Sequence, residues 1–447
     1  MNLIFNHPYR YAAERVIRSF GGGFDYAFSE IKDGNFKVEA RRGDKVAALS
    51  ENYGGDEKIK ICSMLYDALG EITGISPSWG VFTGVRPIKY IRENRDLAAK
   101  MKISAGKLAL ADEIIGVQKS VIGGAPKNSF HLYVGIPFCP SRCGYCSFVS
   151  ETAGKTKALI PKYVNLLIRE LEIIGGFARA RGLRPDTVYI GGGTPTAIPA
   201  AEQRRVYGAV GDYFDLSAVR EYTVEAGRPD TLDAETLREI KRAGAGRISV
   251  NPQSMNDAVL KAVGRDHGAD DTTRAFELSR GYGFENINMD LIAGLPGESE
   301  SGFAESLKRV AELKPDNITV HSLAFKRGSL LEKAPFADGL TETAYTILKG
   351  RGYFPYYLYR LRESAADGDN IGYSRDAGKI GLYNVYAMDE SASVLAAGCA
   401  GATRIIGDGF IKKRYNFKYP HEYISRFGEI AEDKKALFNL CRHNLLK

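Results

Sequence analysis

Cysteine is scarce in this chain, six in 447 residues. That excludes a disulfide framework, which belongs to short, cysteine-dense chains. No run of 18 apolar residues occurs, so no transmembrane helix is expected. The opening M-N-L-I-F-N-H-P-Y-R lacks a charged stretch followed by an apolar one, so no signal peptide is expected either. Low-complexity tracts, solenoid repeats and blocks of like charge are also missing. The net charge of +7 is dispersed, which favours an acidic small molecule or an acidic redox partner over nucleic acid. These absences together point to a monomeric protein of a reducing cytoplasm.

The cysteines that are there are not scattered. Cys139, Cys143 and Cys146 stand in F-C-P-S-R-C-G-Y-C-S-F, a C-x3-C-x2-C spacing after an apolar, strand-like run. Three thiolates can hold three irons of a [4Fe–4S] cluster and leave the fourth open to a ligand, whereas most clusters take four protein ligands. Zinc is the alternative, but a structural zinc site needs a fourth ligand. His131 on the approaching strand is the nearest histidine, and the other cysteines are distant in sequence. Tyr145 and Phe148 flank Cys146 and would shield a cluster from water or simply pack in the core.

With 44% hydrophobic and 26% charged residues, the chain has the composition of a globular protein of two or three domains. Residues 1–125 read as an α+β unit. An Asp33-Gly34 turn precedes alternating Phe36, Val38 and Ala40, and Ile61, Cys62, Leu65, Ala68, Leu69 and Ile72 recur at helical spacing. Cys62 on that apolar face reads as a packed thiol. The string F-T-G-V-R-P at 82–87 has no evident role, and Gly123-Gly124-Ala125-Pro126 reads as a linker.

Over 126–350 strands and helices alternate. The expected strands are His131–Ile136, Thr187–Ile190, Tyr222–Ala226, Arg247–Val250, Ile287–Ile292 and Ile318–Val320. Six βα units predict a parallel sheet, a partial (β/α)6 barrel of the TIM type, with its chemistry at the carboxyl ends of the strands. Residues 351–447, rich in Tyr, Arg and Gly, read as an α+β segment without that rhythm, closing the barrel mouth. Tyr356, Tyr357, Tyr359, Arg360 and Arg362 suit a flat, carboxylate-bearing ligand, or equally an amphipathic strand. Gly407-Asp408-Gly409 reads as a hairpin tip.

Further motifs sit at predicted strand ends. Gly191, Gly192, Gly193 and Thr194 let backbone approach a ligand closely. Glu225 in T-V-E-A-G can accept from an ammonium or a ribose hydroxyl. The Arg265 guanidinium suits a carboxylate; the alternative for Arg265 and Asp290 is an internal ion pair, which barrel interiors also use.

L-Y-V-G-I-P-F-C, the cysteine motif, G-G-G-T-P-T and D-L-I-A-G-L-P-G together resemble the oxygen-independent coproporphyrinogen III oxidase family of radical S-adenosylmethionine (SAM) proteins. T-V-E-A-G-R-P-D, R-I-S-V-N-P-Q-S-M, P-Y-Y-L-Y-R and F-T-G-V-R-P resemble its HemZ-type branch. The resemblance implies one [4Fe–4S] cluster on the three cysteines, and SAM. The glycine segment would take the SAM amino group, and Gln253 and Arg265 its carboxylate and ribose. Tyr133 would lie near the sulfonium, Asp290 beside SAM, and Tyr145 and Phe148 against the adenine. The implied activity is oxidative decarboxylation of coproporphyrinogen III propionates to vinyls in heme biosynthesis, with a flavodoxin- or ferredoxin-type electron donor. A heme-binding chaperone of the same fold, or a tetrapyrrole methyltransferase, are the alternatives. The chain departs from many members at Gly135, where they carry histidine, and at Ser147, where some carry a further cysteine.

Overall fold

The computed structural model describes residues 2–21, 23–124, 126–146, 151–323, 339–361, 368–407 and 409–440. It begins with β1 (Asn2–Asn6), α1 (Arg10–Ser19), β2 (Tyr26–Lys32), β3 (Asn35–Arg42), β4 (Lys45–Asn52) and α2 (Glu57–Thr73). The four strands form one sheet in chain order. Asp33 and Gly34 both take positive φ, 51° and 75°, as a two-residue hairpin turn requires, and β2 pairs with β3 across them. Phe36, Val38 and Ala40 are buried with the apolar face of α2. Asp56 caps that helix by accepting from Ile59 N, and Gly74 ends it in the left-handed region. Cys62 is buried on α2, where burial pushes its thiol up to about 12.

Next come α3 (Pro87–Glu93), α4 (Arg95–Ala99) and α5 (Ala105–Gly123). These are tied to chain far ahead in sequence. Trp79 Nε1 donates to Asp369 Oδ1 at 2.8 Å, and Lys107 Nζ to Asp369 Oδ2 at 2.7 Å. Phe82 O accepts from Arg360 Nη1 at 2.6 Å, and Val85 O from Arg360 N at 2.9 Å. The string F-T-G-V-R-P is therefore a joint, docked by its own carbonyls.

The large sheet then starts. Its elements are β5 (Ser129–Ile136), β6 (Phe138–Cys139), β7 (Glu151–Thr152), α6 (Ile160–Ala180), β8 (Arg184–Gly192), α7 (Ala200–Tyr213), β9 (Glu221–Glu225), α8 (Ala234–Arg242) and β10 (Arg247–Ser249). They continue with α9 (Asp257–Ala262), α10 (Ala269–Gly281), β11 (Asn286–Ala293), α11 (Glu300–Glu312), β12 (Asn317–Ser322) and α12 (Leu340–Lys349). All six expected strands are present, their ends within three residues of expectation. Pairing from β5 through β8, β9, β10 and β11 to β12 is parallel throughout. Asp233 caps α8 by accepting from Thr236 N, as its position before the apolar face implies.

The chain ends with β13 (Phe354–Arg360), β14 (Asp369–Ser374), α13 (Leu382–Asp389), β15 (Val394–Gly398), β16 (Ala402–Gly407), β17 (Phe410–Tyr415), α14 (Pro420–Ser425) and α15 (Phe427–Leu440). This segment lengthens the sheet at both edges. The strand order is β13-β14-β12-β11-β10-β9-β8-β5-β15-β16-β17, and the sheet stays open. β15 runs parallel to β5, so part of the βα rhythm resumes after residue 351. An open parallel sheet leaves backbone donors and acceptors unpaired at each edge, and these added strands satisfy them. Tyr356 and Tyr357 are both buried, because a bulge after Pro355 breaks the alternation of β13. They do lie on a strand, but not an amphipathic one, since Pro355, Tyr356, Tyr357 and Leu358 are all buried; Arg360 donates to Phe82 O, and Arg362 and Asp408 lie outside the described residues.

Alternation sorts the central strands into two faces. Val188, Ile190, Val224, Ile248, Leu291 and Val320 are buried in the aliphatic core. The inner face carries Tyr133, Tyr189, Glu225, Asn288, Asp290 and His321 instead. A barrel of this kind is ordinarily filled by branched aliphatic side chains. Among the described residues no helix is long and apolar enough to cross a membrane.

Candidate active site

The cysteine loop leaves the carboxyl end of β5 and is held from two sides. Glu151 N and Ala153 N donate to Pro137 O and Cys139 O, both at 2.8 Å. Gly144 N donates to Val263 O at 2.9 Å, and Ser141 Oγ to Gly264 O at 3.2 Å. The chain between α9 and Arg265 therefore grips the loop. Cys143 is buried, and Cys139 and Cys146 are partly exposed. Phe148 lies outside the described residues.

The glycine turn after β8 packs directly on this loop. Gly193 N donates to Ile136 O at 2.9 Å and Thr194 N to Phe138 O at 2.7 Å. A β-carbon on Gly193 would stand 2.9 Å from Cys139 Sγ, and Gly192 has φ of +117°, so both positions require glycine. Thr194 Oγ1 donates to Cys139 Sγ at 3.5 Å, and Arg228 Nη1 to Cys143 Sγ at 3.7 Å. Donors aimed at sulfur suit thiolates, and a close backbone cradle beside them suits a bound group. Among the described residues no three His, Cys, Asp or Glu side chains converge as ligands of a single ion would. An iron–sulfur cube asks for something else, one thiolate at each of three corners. His131 is no ligand for zinc here. It is buried with Nδ1 2.8 Å from Thr187 Oγ1, at the far end of β5 from Cys139, and burial pushes it down to about 4.

Glu225 ends β9 facing inward. Tyr189 donates its hydroxyl to Oε1, and Gly192 N donates to Oε2 at 3.2 Å. Burial raises the carboxyl, the Asp290 carboxylate adds to this, and the Tyr189 and Gly192 bonds oppose it. The result is a group pushed up to about 7. Tyr189 also stacks on Tyr383 with ring centroids 4.5 Å apart, and Tyr133 stands 6.3 Å from both rings.

Across the inner face, Asp290 accepts from Asn288 Nδ2 at 2.7 Å and lies 3.7 Å from His321 Nε2. Burial raises the Asp290 carboxyl, but the contacts with His321, Asn288 and Thr319 together outweigh it and hold the group below its ordinary value. The imidazole is correspondingly held above its own, against the effect of burial. Gln253 has φ of +68°, unusual for a residue with a side chain, while its N donates to Asp290 O and its O accepts from Ile292 N, both at 2.9 Å. Arg265 donates to Asn251 O at 2.6 Å and to the Tyr145 hydroxyl at 3.1 Å. Tyr145 packs on Val259, Val263, Ile292 and Leu323.

The expected residues other than Phe148, which is not among those described, gather on one rim, and Tyr189, Tyr383, His321 and Arg228 join them unexpectedly. Tyr189 was visible as the inward position between Val188 and Ile190. Tyr383 lies on α13, and no local pattern connects it to β8. A cleft of about 430 Å³ beside residues 153–160 shares Asp230 with the site's surroundings but none of the inward-facing residues.

A parallel sheet with a three-cysteine loop and a glycine turn at adjacent strand ends defines a radical SAM domain, and residues 133–310 match the radical SAM superfamily. The chain is 35% identical over 387 residues to the oxygen-independent coproporphyrinogen-III oxidase-like protein HemZ of Bacillus subtilis, covering 81% of this chain and 77% of that one. It is 34% identical over 232 residues to the heme chaperone HemW of Escherichia coli, covering 50% of this chain and 60% of that one. It is 28% identical over 284 residues to the oxygen-independent coproporphyrinogen III oxidase of Paracoccus denitrificans, covering 61% of this chain and 62% of that one. Its fold is shared by the solved coproporphyrinogen III oxidase HemN of Escherichia coli, with a TM-score of 0.52, 22% identity, and 74% and 73% of the two chains covered. The chain belongs to the oxygen-independent coproporphyrinogen III oxidase family of radical SAM proteins, on its HemZ-type branch. Members of that superfamily bind a [4Fe–4S] cluster and SAM.

Proposed function

We propose that the protein is an oxygen-independent coproporphyrinogen III dehydrogenase of the cytoplasm. The observation that carries this is the cysteine loop seated on the glycine turn beneath a polar, aromatic inner face, in a chain that matches the HemZ-type protein over four-fifths of its length. Each propionate would lose one hydrogen atom from its β-carbon to the abstracting radical, then release CO2, pass one electron to a separate one-electron acceptor and become a vinyl. When bound and reduced, the cluster with SAM supplies the hydrogen-abstracting equivalent.

The chain's own residues have the following tasks. Cys139, Cys143 and Cys146 hold three irons. The backbone of Gly192, Gly193 and Thr194 cradles the SAM amino group, with Glu225 as its ionised partner. Gln253 presents its amide from a backbone held between Asp290 and Ile292, toward the SAM carboxylate. Arg265 braces Tyr145 and the cysteine loop and lies beside the ribose. Tyr133, in the tyrosine stack, would flank the sulfonium, and Asp290, held ionised by contacts that include His321 and Asn288, would stand beside SAM. The open sheet keeps water out by its aromatic rim and fixes the distance between cofactor and propionate. An acidic flavodoxin or ferredoxin would deliver the electron to the basic surface.

The test is an anaerobic assay of the reconstituted protein with coproporphyrinogen III, SAM and a reductant. Protoporphyrinogen IX formed together with 5′-deoxyadenosine supports the proposal. Deoxyadenosine without any change in the porphyrinogen overturns the substrate assignment. The 34% identity to a heme chaperone favours one second reading, and stable heme binding without SAM cleavage would select it.

A further inference from the structure

Arg228 follows β9 in E-A-G-R-P-D and is 3% exposed. Its guanidinium is fixed as a fork. Nε and Nη2 donate to Asp230 Oδ1 and Oδ2, both at 2.8 Å. The remaining nitrogen, Nη1, points into the cysteine loop, donating to Ser141 Oγ at 3.1 Å and to Cys143 Sγ at 3.7 Å. Cys143 is the most buried of the three cysteines. Asp230 is itself fixed, with His267 Nδ1 3.5 Å from its Oδ1. A two-residue Arg–Asp unit thus delivers one N–H to one sulfur, at a site shielded from water.

Reduction of an iron–sulfur cluster adds negative charge that spreads onto its sulfurs. Hydrogen bonds to those sulfurs and nearby cations stabilise the reduced form and raise its potential. Asp230 offsets most of the guanidinium charge at long range, so the local effect is that of an oriented donor closer to sulfur than its counter-charge. We propose that Arg228, aimed by Asp230, is a positioning residue that donates to the Cys143 thiolate and sets the reduction potential of the cluster. The inference rests on the cluster reading above and adds a second, separable claim about what tunes it.

The experiment compares wild type, Arg228→Gln and Arg228→Lys after anaerobic reconstitution. Iron and sulfide are counted, and the potential is read by a redox titration followed by electron paramagnetic resonance. The glutamine variant is expected to hold the cluster with its reduction equilibrium shifted about tenfold toward the oxidised form, about 59 mV for a one-electron couple. Arg228→Lys, which keeps the charge but loses the fork, is expected to fall between. Equal potentials in loaded wild type and loaded variants overturn the proposal. If Arg228→Gln takes up no iron, the lysine variant decides: a displaced potential supports the proposal and an unchanged one overturns it. Wild type without iron and sulfide would instead overturn the cluster reading, and this inference with it.

Discussion

Gly193 and Cys139 touch so closely that no side chain fits between them. A β-carbon on Gly193 would lie 2.9 Å from Cys139 Sγ and 2.7 Å from Phe138 O. The turn after β8 and the loop after β5 are thereby locked in one relative position. Under the proposed function, that contact joins the cluster ligands to the SAM cradle.

Gly193→Ala should therefore damage cofactor binding more than folding. Backbone cannot yield as a flexible side chain can, so the loop must shift, at about 1–3 kcal/mol. Cluster affinity should fall by roughly 10–100-fold, as disturbed ligand support causes, and iron per chain after reconstitution should fall with it. Iron analysis beside a thermal melt checks this, and normal iron content in the variant would contradict it.

If Glu225 is the proposed partner of the SAM ammonium, SAM binding should depend on pH. The carboxyl is pushed up to about 7, chiefly by burial, and only its ionised form attracts an ammonium. Affinity should weaken as pH falls, by roughly tenfold per unit well below pH 7, and level off above it. Glu225→Gln should bind SAM more weakly and without that slope, as equilibrium dialysis between about pH 5.5 and 8.5 would show. Stability has the opposite sign. Because the folded carboxyl is raised from 4.5 to about 7, ionisation is disfavoured in the fold, so stability is lost as pH rises from 4.5 through about 7. The glutamine variant should gain on wild type at pH 8.

Asp369 is buried and accepts from both Trp79 and Lys107. Lys107→Met would remove the cation beside this buried carboxylate and should destabilise the protein by about 3–5 kcal/mol. Trp79→Phe removes one donor and should cost about 1–3 kcal/mol. Denaturant titrations measure both, and a lysine variant as stable as wild type would contradict the latch.

Much of this was legible in the residues, because the six central strands alternate on a fixed period and end at motifs with turn chemistry. Thr187, Tyr189 and Gly191 share a face opposite Val188 and Ile190, which marks the inner face of β8. What single-sequence reasoning could not supply was register. Tyr189 reaches Glu225 only because β8 and β9 pair with Tyr189 beside Thr223. Arg228 meets Cys143 across 85 residues. The burial of both Tyr356 and Tyr357 depends on a bulge that leaves no mark in composition. Among the added strands, β16 and β17 form the hairpin expected around Gly407 and Gly409 and β13 pairs with nearby β14, whereas the docking of β14 on β12 and of β15 on β5 joins chain more than 50 residues apart and could not be read locally.

The most direct test of the central claim is a count of iron, acid-labile sulfide and zinc in protein purified and reconstituted without air, for wild type and Cys143→Ala. The account predicts iron and sulfide in equal amounts, filling one [4Fe–4S] cluster per wild-type chain, and their loss from the variant. Zinc bound one per chain and retained under reconstitution would contradict it.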